Sequence, residues 1–143
     1  MNNLISDLEI DLININILDI DEELLIKLKE KDKITKDKFY FYLLDRIIEA
    51  ENSKDTEKIS YSYYLMSYYL FLIYTPFLYE ELSYKYAYRA YTLSEDFKYK
   101  EWMLFFTTIE KKLLESKLAL KIANDILNDD PMHQIANMVI LMN

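Results

Sequence analysis

The stretch from Thr56 to Thr75, TEKISYSYYLMSYYLFLIYT, decides how this chain folds. Its apolar and aromatic residues cover almost the whole circumference of a helix rather than one stripe, so a helix built from it is buried on most sides. Asp55 or Thr56 supplies the N-cap. From Ile59 to Tyr79 the chain runs 21 residues without a charge, which is long enough to cross a bilayer. Seven tyrosine hydroxyls, three serines and Pro76 lie within that run, however, and each hydroxyl at the hydrocarbon centre would need a partner. The reading is therefore the central helix of a helical bundle, with membrane association through 59–79 kept as an alternative.

Working outward, Thr75-Pro76 reads as an N-cap followed by proline at the first helical position, restarting the chain as a helix over 77–93 with Glu80 and Glu81 near its start. After a break at 94–98, the spacing predicts a helix over 101–116. Trp102, Phe105, Phe106, Ile109 and Leu113 form its inner side, and Lys111 and Lys112 favour its C-terminal end. A helix over 117–128 stops at Asp129-Asp130-Pro131, because proline disfavours helix in the preceding residue. Residues 132–143 begin another short amphipathic helix. Upstream, Thr35 caps a helix over 36–51 with Phe39, Tyr42, Leu43 and Ile47 inward, and 52–56 is a polar break. Asp21 caps a helix reaching about Lys31, acidic at its start and lysine-rich at its end, as the macrodipole favours. Residues 8–20, LEIDLININILDI, alternate as a half-buried strand does, yet Leu4, Leu8, Leu12 and Ile15 also fit a helix. A lone strand has no pairing partner, so helix or irregular packing is expected there. The prediction is all-α: a single domain over 1–143, with six or seven helices stacked as antiparallel hairpins.

Composition removes whole classes of chemistry. The 143 residues contain no glycine and no cysteine. Phosphate-cradling loops, dinucleotide fingerprints and nucleophile elbows need the first; disulfides, thiolate catalysis and cysteine-ligated metal sites need the second. His133 is the only histidine. No two-histidine metal site can form, and Pro131 keeps Asp129 off a shared helical face, so His133 is expected to be a surface residue without a special role. The adjacent pairs Glu22-Glu23, Glu80-Glu81 and Asp129-Asp130 point in different directions on a helix and are poor acid-base dyads. No catalytic residue, metal or cofactor is expected.

The net charge of −8 is unevenly placed. Asp7, Glu9, Asp11, Asp19, Asp21, Glu22 and Glu23 precede the first base, Lys27, so residues 1–26 carry −7; the remaining 18 acids and 17 bases leave −1. A one-sign segment steers an oppositely charged partner and repels a phosphate backbone, so direct nucleic-acid binding is disfavoured. Acids before any base also contradict a secretory or transit leader, and cytoplasmic residence is the expectation.

The segment 118–131, LALKIANDILNDDP, resembles the second helix of a tetratricopeptide-type repeat through Ala119, Ala123, Ile126 and Pro131. Ala87, Tyr91 and Ser94 repeat the spacing of Ala119, Ala123 and Ile126 32 residues earlier, close to the ~34-residue period of such arrays. The match covers about 57–143. It implies TPR-like hairpins with a groove that binds peptides or protein surfaces. Twelve of the 14 tyrosines lie between 61 and 99, more phenols than one helix pair can bury with every hydroxyl satisfied. Tyr84, Tyr88 and Tyr91, with Arg89 among them, are therefore expected to offer the aromatic and arginine mixture of binding hot spots. The leading expectation is a non-enzymatic interaction module that meets a basic protein surface, for example an acidic inhibitor of a nucleic-acid-binding enzyme of the immunity or phage-antagonist type. Self-association into a scaffold through the tyrosine face is the alternative.

Overall fold

A computed structural model describes residues 12–143. Among the described residues seven α-helices follow one another and no strand forms: α1 (Glu22–Lys27), α2 (Lys33–Ser53), α3 (Thr56–Tyr69), α4 (Tyr79–Leu93), α5 (Phe97–Phe105), α6 (Ser116–Asp129) and α7 (Gln134–Leu141). The protein is all-α, as its periodicity predicts. Of the ambiguous segment 8–20, residues 12–20 form turns and a short 3₁₀ helix (Ile17–Asp19); residues 8–11 lie outside the described part.

Aspartate carboxylates start four of these helices. Asp21, Asp32, Asp55 and Asp96 accept hydrogen bonds from the backbone N–H of Leu24, Thr35, Lys58 and Lys98 at 3.0, 2.9, 3.3 and 2.9 Å. Two of the caps, Asp21 and Asp55, are those expected. At α2 the expected cap, Thr35, is instead the donor that Asp32 satisfies, so the helix starts three residues sooner.

Two boundaries differ more. Thr75 does not cap α4. The end of α3 widens into a π-helical turn (Leu70–Tyr74), which the Thr75 N–H closes on the Leu70 carbonyl at 3.0 Å, and α4 begins only at Tyr79. Proline keeps the residue before it out of the right-handed helical region. Thr75 turns left-handed instead (φ 44°), and Leu78 follows at φ 63°. With no glycine in the chain, these residues and Lys54 (φ 60°) bear the steric cost of the left-handed conformation themselves. Helix α5 starts at the Asp96 cap and ends at Phe105, well short of residue 116. The Thr107 and Thr108 N–H groups turn back three residues to the Leu104 and Phe105 carbonyls at 2.9 and 3.0 Å, and their hydroxyls join the same carbonyls, both at 2.7 Å. Ile109 and Leu113 remain partly buried on an irregular strap, and Lys111 pairs with Glu81 of α4 at 2.6 Å rather than marking a helix end.

Packing follows chain order: α2 on α3, α3 on α4, α4 on α5, α5 on α6 and α6 on α7. Two apolar clusters result. Phe39, Leu43, Leu65, Met66 and Tyr69 centre the first, and Met103, Leu104, Ile122, Ile126 and Ala136 the second. Helix α4 joins them, with Ala90 in one and Ala87 in the other. Where α3 crosses α4, Ser67 and Ser83 are fully buried and each hydroxyl donates to the other residue's carbonyl at 2.7 Å. The Trp102 indole N–H donates to Ser67 Oγ at 2.6 Å, pinning α5 to the same crossing. The charge-free run 59–79 is divided between two helices at Thr75, and among the described residues no helix is long and apolar enough to cross a membrane.

Candidate interaction surface

The first turn of α1 lies against α3, and its acids split into inward and outward sets. Glu22 is inward: it accepts the Tyr64 hydroxyl at 2.7 Å and the Lys98 ammonium at 3.0 Å. Burial pushes the Glu22 carboxyl up, but the Tyr64 and Lys98 hydrogen bonds outweigh it and hold the group below its ordinary value. Asp19, Asp21 and Glu23 remain exposed. Just before them, the Ile20 carbonyl accepts the Tyr61 hydroxyl at 2.5 Å. The Lys98 ammonium sits over the Tyr64 and Tyr61 rings at 5.3 and 5.9 Å, where a cation is attracted by the ring face.

These contacts draw the starts of α1, α3 and α5 together. Tyr61 is raised by burial and then by the charges of Glu22 and Asp21. Tyr99 is raised by burial and then, against a lowering hydrogen bond with Ser60, by Asp96, Glu57 and Glu22. Glu22 thus acts on both phenols, Asp21 on Tyr61, and Glu57 and Asp96 on Tyr99. The exposed members of this edge are Asp19, Asp21, Glu23, Glu57, Glu95 and Asp96. Sequence reasoning assigned acidity to residues 1–26 alone and missed Glu57 and Asp96. Their only signal was their place at helix starts, which says nothing of which helices end side by side. Asp7, Glu9 and Asp11 lie outside the described residues.

The expected aromatic and arginine mixture is separated. Tyr84, Tyr88 and Tyr91 share one side of α4, with successive ring centroids at 6.3 and 6.4 Å, and Tyr84 meets Phe106 edge-on at 5.4 Å. Lys121 of α6 approaches the Tyr91 hydroxyl at 3.5 Å. Tyr88 alone of the three is exposed. Arg89 turns away and lies over Tyr86 at 5.2 Å and Tyr63 at 5.7 Å. One residue along a helix rotates the side chain by about 100°, enough to carry position 89 off the 84/88/91 face.

His133 is not the plain surface residue expected. Its side chain is only 12% exposed. Nδ1 accepts the Ala136 N–H at 3.2 Å, capping α7, and Nε2 lies 2.8 Å from the Glu101 carboxylate of α5. With Nδ1 accepting, the proton belongs on Nε2, which donates to Glu101. The residue thereby ties α7 to α5. Among the described residues no group of three or more histidine or acidic side chains is placed to hold a metal ion. Among the described residues the surface carries concavities at two places of note. One of about 190 Å³ lies between residues 14–17 and α2 and is lined by Arg46 and Glu49; the other, about 430 Å³, lies between the strap after α5 and α7.

No protein-family model, curated protein or solved structure matches this chain.

Proposed function

We propose that the protein is a non-enzymatic protein–protein interaction module whose acidic edge engages a basic surface on another protein, in the manner of an acidic antagonist of a nucleic-acid-binding enzyme. The observation that carries the reading is the convergence of carboxylates from the starts of α1, α3 and α5 around Tyr61 and Tyr99. At this edge the exposed carboxylates outnumber Lys58, Lys98 and Lys100, the last two paired with Glu22 and Glu95, and the net negative charge beside aromatic surface accelerates encounter with a basic partner and discriminates against acidic ones. The order of the helices also supports TPR-like stacking. With α3–α4 and α5–α6 taken as hairpins, Ala87 on one second helix and Ala119 and Ala123 on the next are all buried, where small residues admit a neighbouring helix.

The test is capture of partners from the native host on the immobilised chain, with elution by rising salt, followed by association kinetics on the recovered partner. D19N, D21N and E23Q together keep the side-chain shapes, and the amide introduced by D21N retains a capping oxygen. The triple variant is expected to slow association about ten-fold at low salt, with a smaller effect at high salt. An unchanged association rate at low salt overturns the reading.

A further inference from the structure

Helix α2 is 21 residues long and buries Phe39, Leu43, Ile47 and Ala50. On the opposite side it carries a second apolar stripe that belongs to neither cluster: Ile34, Phe41 and Ile48 are 64%, 65% and 56% exposed. They recur every seven residues. At about 100° per residue they stay within ~20° of one line along the helix, the seam of a helix–helix contact rather than scattered surface residues. The stripe is symmetric about Phe41, with one isoleucine a heptad before it and one a heptad after. The charges flanking it are antisymmetric. Lys33, Lys36 and Lys38, with Asp37, make the first half of α2 basic; Asp45, Glu49 and Glu51, with Arg46, make the second half acidic.

We propose that this face of α2 is the self-association surface of the protein, pairing antiparallel with α2 of a second copy about a two-fold axis at Phe41. In that arrangement Phe41 meets the partner's Phe41, and Ile34 meets the partner's Ile48. On an antiparallel seam the residues on one edge face residues of the same edge. Lys38 and Asp45 share one edge of the stripe, so Lys38 faces the partner's Asp45. Lys33 and Glu51 share the other, so Lys33 faces the partner's Glu51. Each of these charge pairs occurs twice, as an isologous contact requires. A parallel pairing would set Lys33 against the partner's Lys38 and is rejected by like charge. The flanking groups can take part. Lys33 is 84% exposed in its pair with Asp37, and Asp45 is 68% exposed beside Arg46, leaving carboxylate lone pairs for a second donor. The surface is separate from the acidic edge at the starts of α1, α3 and α5, so the inference stands or falls independently of the function proposed above.

Light scattering and analytical ultracentrifugation of the full chain, from micromolar to sub-millimolar concentration, test the pairing. A monomer–dimer equilibrium is expected; a monomer throughout overturns the proposal and leaves the stripe to a different partner. F41D, with an unchanged far-ultraviolet spectrum, is expected to weaken the dimer by more than about ten-fold, since it buries two carboxylates face to face. K38E and D45K are each expected to weaken it several-fold, while an equimolar mixture of these two variants forms a heterodimer at wild-type strength because both edge pairs are then complementary. A dimer indifferent to F41D, or a mixture no tighter than its components, overturns the proposal. Orientation is read by cysteines, which the natural chain lacks. Copies carrying I34C are expected to form disulfides with copies carrying I48C in preference to each other; the reverse preference overturns the antiparallel arrangement.

Discussion

Between α1, α2 and α3 the side chains that cross from one element to the next are largely phenols, whereas α6 and α7 fill the second cluster chiefly with aliphatic side chains. Tyr61, Tyr64, Tyr69 and Tyr74 each bury a ring in or against the first cluster and pass the hydroxyl to a distant acceptor: the Ile20 carbonyl, Glu22, the Lys36 carbonyl and Asp37, at 2.5 to 2.7 Å. The second cluster draws on Ala119, Ile122, Ala123, Ile126, Ala136 and Val139, which have no polar side-chain atom. Its polar pairs, Glu81–Lys111 and Glu101–His133, sit at the rim. The difference teaches how an acidic N-terminal segment can be held on an apolar bundle. A phenol has enough apolar area to drive burial and a donor at its tip to satisfy a carboxylate that would otherwise be stranded. Small residues offer close approach but no such handle.

The largest effects should come from emptying either cluster. Phe39→Ala and Ile126→Ala are expected to cost about 3–5 and 2–5 kcal/mol respectively. Because α4 belongs to both clusters, each variant should lower one shared transition in denaturant. Two separate transitions, with only one displaced by each substitution, would show that the clusters fold independently.

The α3–α4–α5 crossing that couples the clusters comes next. Ser67→Ala leaves the Trp102 indole N–H without its acceptor and removes the hydroxyl that donates to the Ser83 carbonyl, while Ser83 keeps its own bond to the Ser67 carbonyl, at an expected cost of about 1–3 kcal/mol. Trp102 is the only tryptophan, so its emission should shift in step with the loss. A variant of wild-type stability and unchanged emission would mean that the crossing does not join the clusters.

Titration separates the two regions without mutation. Tyr63 and Tyr74 are pushed up from the ordinary 10.0 to about 12, chiefly by burial and then by hydrogen bonds to Glu51 and Asp37. A raised folded-state value means that the stabilisation is complete below pH 10 and is lost as pH rises toward 12. Glu22 has the opposite sign. Its folded-state value is depressed, so its contribution is present above the ordinary 4.5 and is lost as pH falls below that. Denaturant midpoints measured across pH should therefore decline at both ends, and Tyr64→Phe should flatten the acid limb. An acid limb that is unchanged in Tyr64→Phe would break the link between the phenols and the acidic segment.

The smallest expected effect is a gain. Lys54→Gly, at the left-handed turn between α2 and α3, should stabilise the protein by about 0.5–1 kcal/mol, since glycine reaches φ 60° without the Cβ clash. A destabilised variant would mean that the lysine side chain holds the turn in a way its backbone does not reveal.

Much of the helical frame was readable before any packing was known. The all-round apolar character of Thr56–Tyr69 identified a central helix, and Asp21, Asp55 and Pro131 marked ends that lie within a few residues of those observed. These signals are local: a carboxylate caps the next turn whatever lies beyond it, and proline refuses a helix in any context. The early end of α5 was not legible, because threonine is tolerated within helices and nothing local marks where the Thr107 and Thr108 N–H groups turn to carbonyls three residues back. The surface was read less well than the frame. Asp19, Asp21 and Glu23 lie exposed as expected, but Glu22 is turned inward by Tyr64 and Lys98, and Arg89, though exposed, is drawn off the 84/88/91 face over Tyr63 and Tyr86.

By itself the order of amino acids determined that this protein is built chiefly as a run of helices, where most of them start, and that no glycine or cysteine chemistry is available to it. Those properties depend on neighbours a few positions apart. Only the tertiary structure decided which acids share an edge, which tyrosines keep their hydroxyls outside, and that α2 shows a second apolar stripe to the outside. Those depend on the angle at which each helix meets the next, and the angle is set by side chains as far apart in the chain as Tyr64 and Glu22.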